Sequence, residues 1–313
     1  MFIIYSMPLG YALNLHHLEL FLAVVVDGNV SRAALRMGVS QPAVSRQIHE
    51  LEESLGLPLL ERLPRGIRPT EAGVALATHA KAIFSMRERA ARDMEERRDG
   101  LAGRLSIAAS RTIGSALLPD LLARFRTEQP GPTLHVEITN TRGVEARLRE
   151  GTVELGLVEG SVSEEFESES FARDELVAVA APTLLGSKKA PRDLRGFCQL
   201  PLALREAGSG TRSLVDQRME QAGAKIEPAF VLDGSNAIRA FVEAGLAASF
   251  LPRIVVASSL ERGTMVEIPL KDTLLEREFR WIKRRGQPLG PATSAFLAIL
   301  ERLRRDLGRK RAK

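Results

Sequence analysis

The segment SRAALRMGVSQPAVSRQIHELEESLGLPLLERLPRGIRPT, Ser31 to Thr70, reads as helix, tight turn, helix and basic hairpin. Ser31 can cap the first helix by accepting an otherwise orphaned backbone N–H. Gly38 tolerates the left-handed conformation that ends it, after about two turns carrying Ala33, Ala34 and Leu35. Ser40 offers a second cap, and Pro42 sits in the first turn, where its missing N–H costs nothing. At about 100° per residue, Val44, Ile48, Leu51 and Leu55 share one narrow sector, with Pro42, Arg46, His49 and Glu53 opposite. One edge is for burial and the other for presentation.

Near the start of that second helix stand Gln41, Pro42, Ser45, Arg46 and Gln47, whose amide, hydroxyl and guanidinium groups can pair with base edges or phosphates. Its C-terminal half turns acidic with Glu50, Glu52 and Glu53, so only the first two turns tolerate close approach to DNA, as a recognition helix requires. Arg62, Arg65 and Arg68 then surround Pro64 and Gly66, which suits a wing whose arginines reach the phosphate backbone or the adjacent minor groove. A generic helical hairpin with solvated charges is the plain alternative. The conjunction of caps, polar helix start and basic wing favours DNA, with Ser31, Ser40, Gln41, Pro42, Ser45, Arg46, Gln47, Arg65 and Arg68 as the interface.

Ala33-Ala34, the run Val39-Ser40-Gln41-Pro42-Ala43-Val44-Ser45-Arg46-Gln47-Ile48, Leu51-Glu52, Leu55-Gly56, Leu59-Leu60-Glu61-Arg62 and Pro69-Thr70-Glu71-Ala72-Gly73 resemble the N-terminal winged helix-turn-helix of LysR-type transcriptional regulators. The resemblance covers almost all of residues 13–307.

A chain of 313 residues suits two or three domains, and 44% hydrophobic with 27% charged residues is ordinary for a soluble protein. The net charge of +5 is misleading. Residues 301–313 hold seven Arg and Lys against Glu301 and Asp306, which accounts for all of it. Residues 13–70 balance six arginines against six acids, so the case for DNA rests on placement rather than pI. The basic end, 308–313, reads as a solvated, frayed helix terminus or as a DNA contact. Cys198 is the one cysteine, which rules out an intramolecular disulfide, a multi-cysteine metal site and the two-cysteine redox switch of some peroxide-sensing LysR-type members. The apolar start, 1–12, lacks a cationic signal-peptide region and is too short to span a bilayer. It reads as a disordered extension, with Met7 an alternative start.

Residues 15–26 place Leu18, Phe21, Leu22 and Val25 at helical spacing, completing a three-helix core. From 71 to 99 the composition predicts a helix of roughly 40 Å at 1.5 Å per residue, capped by Thr70. Its stripe of Ala77, Ala80, Phe84, Ala91 and Met94 asks either for a partner helix or for the helix to lie on its own domain. The resemblance implies dimerisation through it. Asp99 to Gly103 reads as a flexible joint.

Beyond the joint, strands at 104–109, 133–139 and 154–158 alternate with helices at 113–127 and 144–150, the signature of a parallel sheet. A second set follows: strands at 175–180, 202–205, 229–232 and 247–251, and helices at 211–221 and 236–244. A return strand at 279–283 and a final helix at 293–307 go back to the first lobe. The two lobes over 104–307 resemble the periplasmic-binding-protein-like effector domain of the LysR type, and the whole reads as an α/β chain of winged helix-turn-helix, linker helix and two-lobed domain. Lobe 1 takes about 104–174 and 277–307, and lobe 2 about 175–276. Ligands in that architecture sit where strand C-termini of both lobes meet.

Small polar segments precede helices at those ends: Ser110-Arg111-Thr112, Asn140-Thr141, Gly208-Ser209-Gly210-Thr211 and Gly234-Ser235-Asn236. Helix-start amides and hydroxyls favour anions, a carboxylate, phosphate or sulfur oxyanion. Ordinary capping is the alternative for each segment singly. Their convergence, implied by the resemblance, makes Ser110, Arg111, Thr112, Asn140, Thr141, Glu159, Arg205, Ser209, Gly210, Thr211 and Ser235 the candidate effector site. Arg111 and Glu159 either bind ligand or pair across the cleft. The run Arg205 to Arg212 resembles the LysR subset that includes carbon-fixation and sulfur-assimilation regulators, and disfavours a benzoate-like ligand. Cys198 reads as a small core residue.

The five histidines, 16, 17, 49, 79 and 135, have no metal spacing, and no GxSxG is present, so neither metal nor cofactor nor catalysis is expected. A solute receptor of the same two-lobed fold would need an export signal. The expectation is therefore a cytoplasmic, dimeric or tetrameric regulator with double-stranded DNA, itself and a small anionic effector as partners, and no membrane.

Overall fold

The computed structural model describes residues 13–63, 66–99, 103–186, 190–224, 226–270 and 275–311. The N-terminal extension, Arg65 of the wing and positions 100–102 of the joint lie outside them. The chain divides into an N-terminal unit, ending at Arg92, and a C-terminal unit.

In the N-terminal unit, α1 (Leu15–Asp27) is capped by Asn14, whose side chain accepts from His16 N at 2.9 Å. Helix α2 (Val30–Met37) is capped by Asn29, accepting from Arg32 N at 3.1 Å. That corrects the expected start at Ser31. Val30 packs against the core, so the helix begins early enough to include it, and Ser31 falls exposed in the first turn. Helix α3 (Gln41–Leu55) starts as read, Ser40 accepting from Ala43 N at 3.4 Å with Pro42 in the first turn. It buries Val44, Ile48 and Leu51 beside Phe21. Glu52 is not a solvated acid: its Oε1 accepts from Leu59 N at 2.7 Å and Leu60 N at 3.1 Å, fixing where the chain leaves for the wing. The wing is the antiparallel hairpin β1 (Leu60–Leu63) and β2 (Gly66–Pro69), with Arg68 opposite Glu61 and bonded to it at 3.2 Å.

The long helix α4 (Glu71–Asp99) is capped by Thr70, which accepts from Gly73 N at 3.0 Å. Gly73 has no room for a side chain, because a Cβ there would collide with the Leu59 carbonyl. The apolar stripe splits. Ala77, Ala80 and Phe84 join the core of their own unit, whereas Ala91 and Met94 are exposed. The own-domain alternative thus holds for the first half of the helix.

The C-terminal unit opens with β3 (Arg104–Ser110), α5 (Arg111–Ala116), α6 (Leu118–Glu128), β4 (Thr133–Thr139), α7 (Thr141–Glu150) and β5 (Leu155–Glu159). Strand β3 pairs in parallel with β4 and β5, as the alternating pattern predicts. The single helix expected over 113–127 is two helices. Pro119, in the first turn of α6, cannot continue a preceding helix, and α5 ends at Ala116 with Leu117 as its cap.

Strand β6 (Phe166–Ala180) leads to α8 (Pro182–Leu185), α9 (Leu194–Phe197), β7 (Ala203–Arg205), α10 (Gly210–Gln221), β8 (Phe230–Leu232) and α11 (Ser235–Glu243). Next come β9 (Ser249–Pro252), α12 (Arg253–Glu261), β10 (Val266–Glu267), β11 (Glu276–Arg284) and α13 (Pro291–Arg311). The seven-stranded sheet runs β10-β6-β11-β5-β3-β4, with β9 also on β6, and β7 pairs in parallel with β8. Strands β6 and β11 are antiparallel over their whole contact and cross between the lobes. Beneath them lie separate cores: Phe125, Phe171, Phe279 and Phe296 in the first lobe, and Phe197, Leu204, Val215 and Phe250 in the second. Cys198 packs half-buried at the edge of the second core, and burial raises its thiol pKa.

Candidate functional site

Two surfaces carry the expected chemistry. On α3, Gln41, Pro42 and Arg46 are exposed and Ser45 and Gln47 half-buried, so the polar start of the helix faces outward while Val44 and Ile48 hold it from behind. Arg46 lies 3.7 Å from Glu50 one turn on, a loose exposed pair that leaves its guanidinium available. Ser31 is also exposed, one turn before Leu35, which is 85% exposed. The arginines of α2 are occupied: Arg36 Nε donates to Asp27 at 3.0 Å.

The second surface is the seam between the lobes. Ser110 caps α5, accepting from Ile113 N at 3.4 Å, and Asn140 caps α7, accepting from Gly143 N at 2.9 Å. Capping accounts for these two. It does not account for Ser209 and Thr141. Ser209 precedes α10 without a side-chain bond to its helix, and the Oγ of Ser209 and Oγ1 of Thr141 are buried without a hydrogen-bond partner among the described residues. Ser235 accepts from Arg205 Nη1 at 3.1 Å.

These segments come together through Gly210. A Cβ there would collide with the Glu159 carbonyl and stand 3.0 Å from Thr141 Oγ1, so the start of α10 rests directly on the end of β5. Across the seam Arg142 N donates to Gly208 O at 3.2 Å, and Gly208 adopts φ 87°, a left-handed turn suited to glycine. Arg111 and Glu159 do not pair with each other. Arg111 Nη2 donates to Asp233 at 2.6 Å and its Nη1 lies 3.8 Å from Glu206. Glu159, 1% exposed, accepts from Thr112 Oγ1 at 3.4 Å and faces Arg277 Nη1 at 3.7 Å.

Charge at the seam is largely compensated. Arg205 grips Glu206 with two bonds, at 2.7 and 2.9 Å. Burial pushes Glu206 up, but that guanidinium outweighs it and holds the carboxyl below its ordinary range. Arg212 is bound to Asp216 at 2.8 Å. Among the described residues no group of three or more His, Cys, Asp or Glu could hold a metal ion. Nor is any described helix long and apolar enough to cross a membrane.

Residues 15–74 match the family model "Bacterial regulatory helix-turn-helix protein, lysR family", and residues 98–304 match "LysR substrate binding domain". The chain belongs to the LysR family. As a LysR-type transcriptional regulator it joins a DNA-binding helix-turn-helix to an effector-binding domain. It is 34% identical over 288 residues to the HTH-type transcriptional regulator YeiE of Escherichia coli K12, covering 91% of this chain and 96% of that one. It is 30% identical over 290 residues to the RuBisCO operon transcriptional regulator of Allochromatium vinosum, covering 90% and 94%. The crystal structure of full-length CbnR complexed with its target DNA matches with a TM-score of 0.66 at 25% identity, over 93% of this chain and all of that one. The carbon-fixation likeness of the Arg205 to Arg212 run agrees with the second of these.

Sequence reasoning missed Arg277 and Asp174. Arg277 Nη1 donates to Thr211 Oγ1 at 2.8 Å, while Nε and Nη2 reach Asp174 at 3.0 and 2.8 Å. The buried guanidinium therefore ties β11 and β6 to the start of α10. No local motif marks it. One of three arginines in EREFRWIKR, it looks like any charged edge residue, and only the antiparallel register of β6 with β11 reveals its partners.

Proposed function

We propose that this LysR-type regulator senses a small anion in the interlobe seam and converts its binding into a changed arrangement of paired winged units on DNA. The observation that carries the reading is a group of polar atoms at converging helix starts: Arg111 Nη1, Thr141 Oγ1, Glu159 Oε2 and Ser209 Oγ are all buried without a hydrogen-bond partner among the described residues. Buried polar atoms are ordinarily satisfied, so their clustering favours a ligand over capping. Because the guanidinium groups already have carboxylate partners, the preference for an anion rests on hydroxyls and helix-start amides.

Gln41, Pro42, Ser45, Arg46 and Gln47 approach the bases, with Ser31, Ser40, Arg65 and Arg68 on the backbone, a reading supported by the likeness to DNA-bound CbnR. Pairing uses the face of α4 that the winged core leaves uncovered, where Ile83, Met86 and Met94 are exposed. Two pairs make a tetramer. The protein works as a binding switch in the cytoplasm, not as an enzyme, by population shift between two arrangements. Gel-shift titration tests both sites. Arg46→Ala should weaken promoter binding by about 1–3 kcal/mol. Ser209→Ala should leave promoter affinity unchanged and abolish the response to whichever carboxylate, phosphate or sulfur oxyanion shifts the wild-type complex. Ser209 is a cleaner probe than Thr211, whose hydroxyl also serves Arg277.

A further inference from the structure

Glu159 closes β5, and its two carboxylate oxygens live differently. Oε1 accepts from Thr112 and faces Arg277. Oε2 is buried with no hydrogen-bond partner among the described residues. A Cβ at Gly210 would stand 2.9 Å from Glu159 Cγ and 3.0 Å from Thr141 Oγ1, so the acid, the free hydroxyl of Thr141 and the start of α10 share one small volume. The free hydroxyl of Ser209 is one residue away along the chain.

The hydroxyls can turn to donate or to accept, whereas a carboxylate only accepts. An anion that offers nothing but lone pairs would satisfy Ser209 and Thr141 and still leave Oε2 facing negative charge, away from the water that could relieve it. We infer that the effector is an oxyanion that also carries an O–H donor, either a singly protonated oxyanion or a hydroxy acid. Its hydrogen goes to Glu159 Oε2, and its other oxygens accept from the Ser209 and Thr141 hydroxyls. This rests on the proposed anion site and narrows the class of ligand it admits.

Inorganic phosphate and sulfate test it, being tetrahedral oxyanions of similar size of which phosphate keeps an O–H at neutral pH and sulfate does not. Glycolate and acetate form a second pair, differing by one hydroxyl. Each is titrated calorimetrically into the full-length chain at constant ionic strength. The donor-bearing member of a pair should bind roughly tenfold or more tightly, the usual consequence of a hydrogen bond to a charged group. Glu159→Gln, whose amide can donate, should shrink or invert that preference.

Equal or tighter binding of sulfate and acetate by the wild-type chain overturns the inference without recourse to any variant. An unchanged preference in folded Glu159→Gln overturns it as well. Failure of all four anions to bind defeats the anion site itself, whereas indiscriminate binding of all four leaves that site standing and removes only the requirement for a donor.

Discussion

In the winged unit each helix start uses its small polar residue on itself. Asn14, Asn29, Ser40 and Thr70 all accept a backbone N–H of the helix they precede. In the effector unit Ser110 and Asn140 do the same, but the side-chain oxygens of Ser209 and Thr141 have no partner among the described residues although both are buried. An exposed hydroxyl without a protein partner turns to water at little cost. A buried one forfeits about 1–3 kcal/mol unless something arrives to meet it. Small polar residues at the starts of helices thus differ in kind, and burial combined with an unmade bond separates them where sequence cannot.

The contrast can be broken first at the charges. Arg277→Ala leaves Asp174 and Glu159 buried without their cation and should destabilise the effector unit by about 3–5 kcal/mol. Arg36→Ala removes a half-exposed pair with Asp27 and should cost at most about 1 kcal/mol. Similar losses in denaturant titrations would mean that the interlobe network is no more than surface decoration.

Next come the two glycines that touch a neighbouring carbonyl. Gly210→Ala and Gly73→Ala should each cost about 1–3 kcal/mol by overpacking. They should differ in consequence: the first blunts anion binding with DNA affinity intact, and the second does the reverse. A shared phenotype in thermal unfolding and gel-shift assays would show that the two roots are not independent.

The caps sharpen the contrast further. Ser40→Ala should lose about 1 kcal/mol of stability as its cap disappears. Ser209→Ala should be no less stable than wild type in the absence of anion, and more stable by up to about 1–3 kcal/mol, because no bond is lost and an unmet buried hydroxyl is removed. A large loss there would make Ser209 a structural residue after all.

The smallest effect is the pH response of Glu206. Its carboxyl is held low in the folded state, so its contribution is present above its unfolded pKa and fades as pH falls through the depressed folded value. The stability gap between wild type and Glu206→Gln should therefore be widest near neutrality and close on the acid side of the ordinary carboxylate range. A gap that widens on acidification would reverse the assignment.

The winged unit was largely legible because its signals are local: Ser40, Pro42 and Gly56 bracket α3 within one stretch of chain. Even there Asn29 was overlooked, since two residues compete to cap α2 and only packing of Val30 decides between them. In the effector unit the alternating strands and helices gave the architecture, yet β6 looked like a strand only from Glu175 onward. Its first half, FESESFARD, puts Phe166 and Phe171 at an odd spacing because each enters a different core on opposite faces of the sheet. Its acids find partners far along the chain, Glu167 with Lys283 at 2.6 Å and Glu169 with Arg304. The four polar segments at the seam could be nominated from sequence. Which of them cap and which stay free depends on a fold that joins Thr141 to Gly210 and Arg277 to Asp174.

Helix α4 has a mechanical consequence. Its root is locked by Gly73 against Leu59, and its first turns are part of the winged core through Ala77, Ala80 and Phe84. It cannot swivel on its own domain without breaking that core, so α3 and the first turns of α4 turn as one body. With 29 residues the arm is some 43 Å long at about 1.5 Å per residue. A rotation of roughly 5° about one end carries the other through about 4 Å, comparable to a single base-pair step.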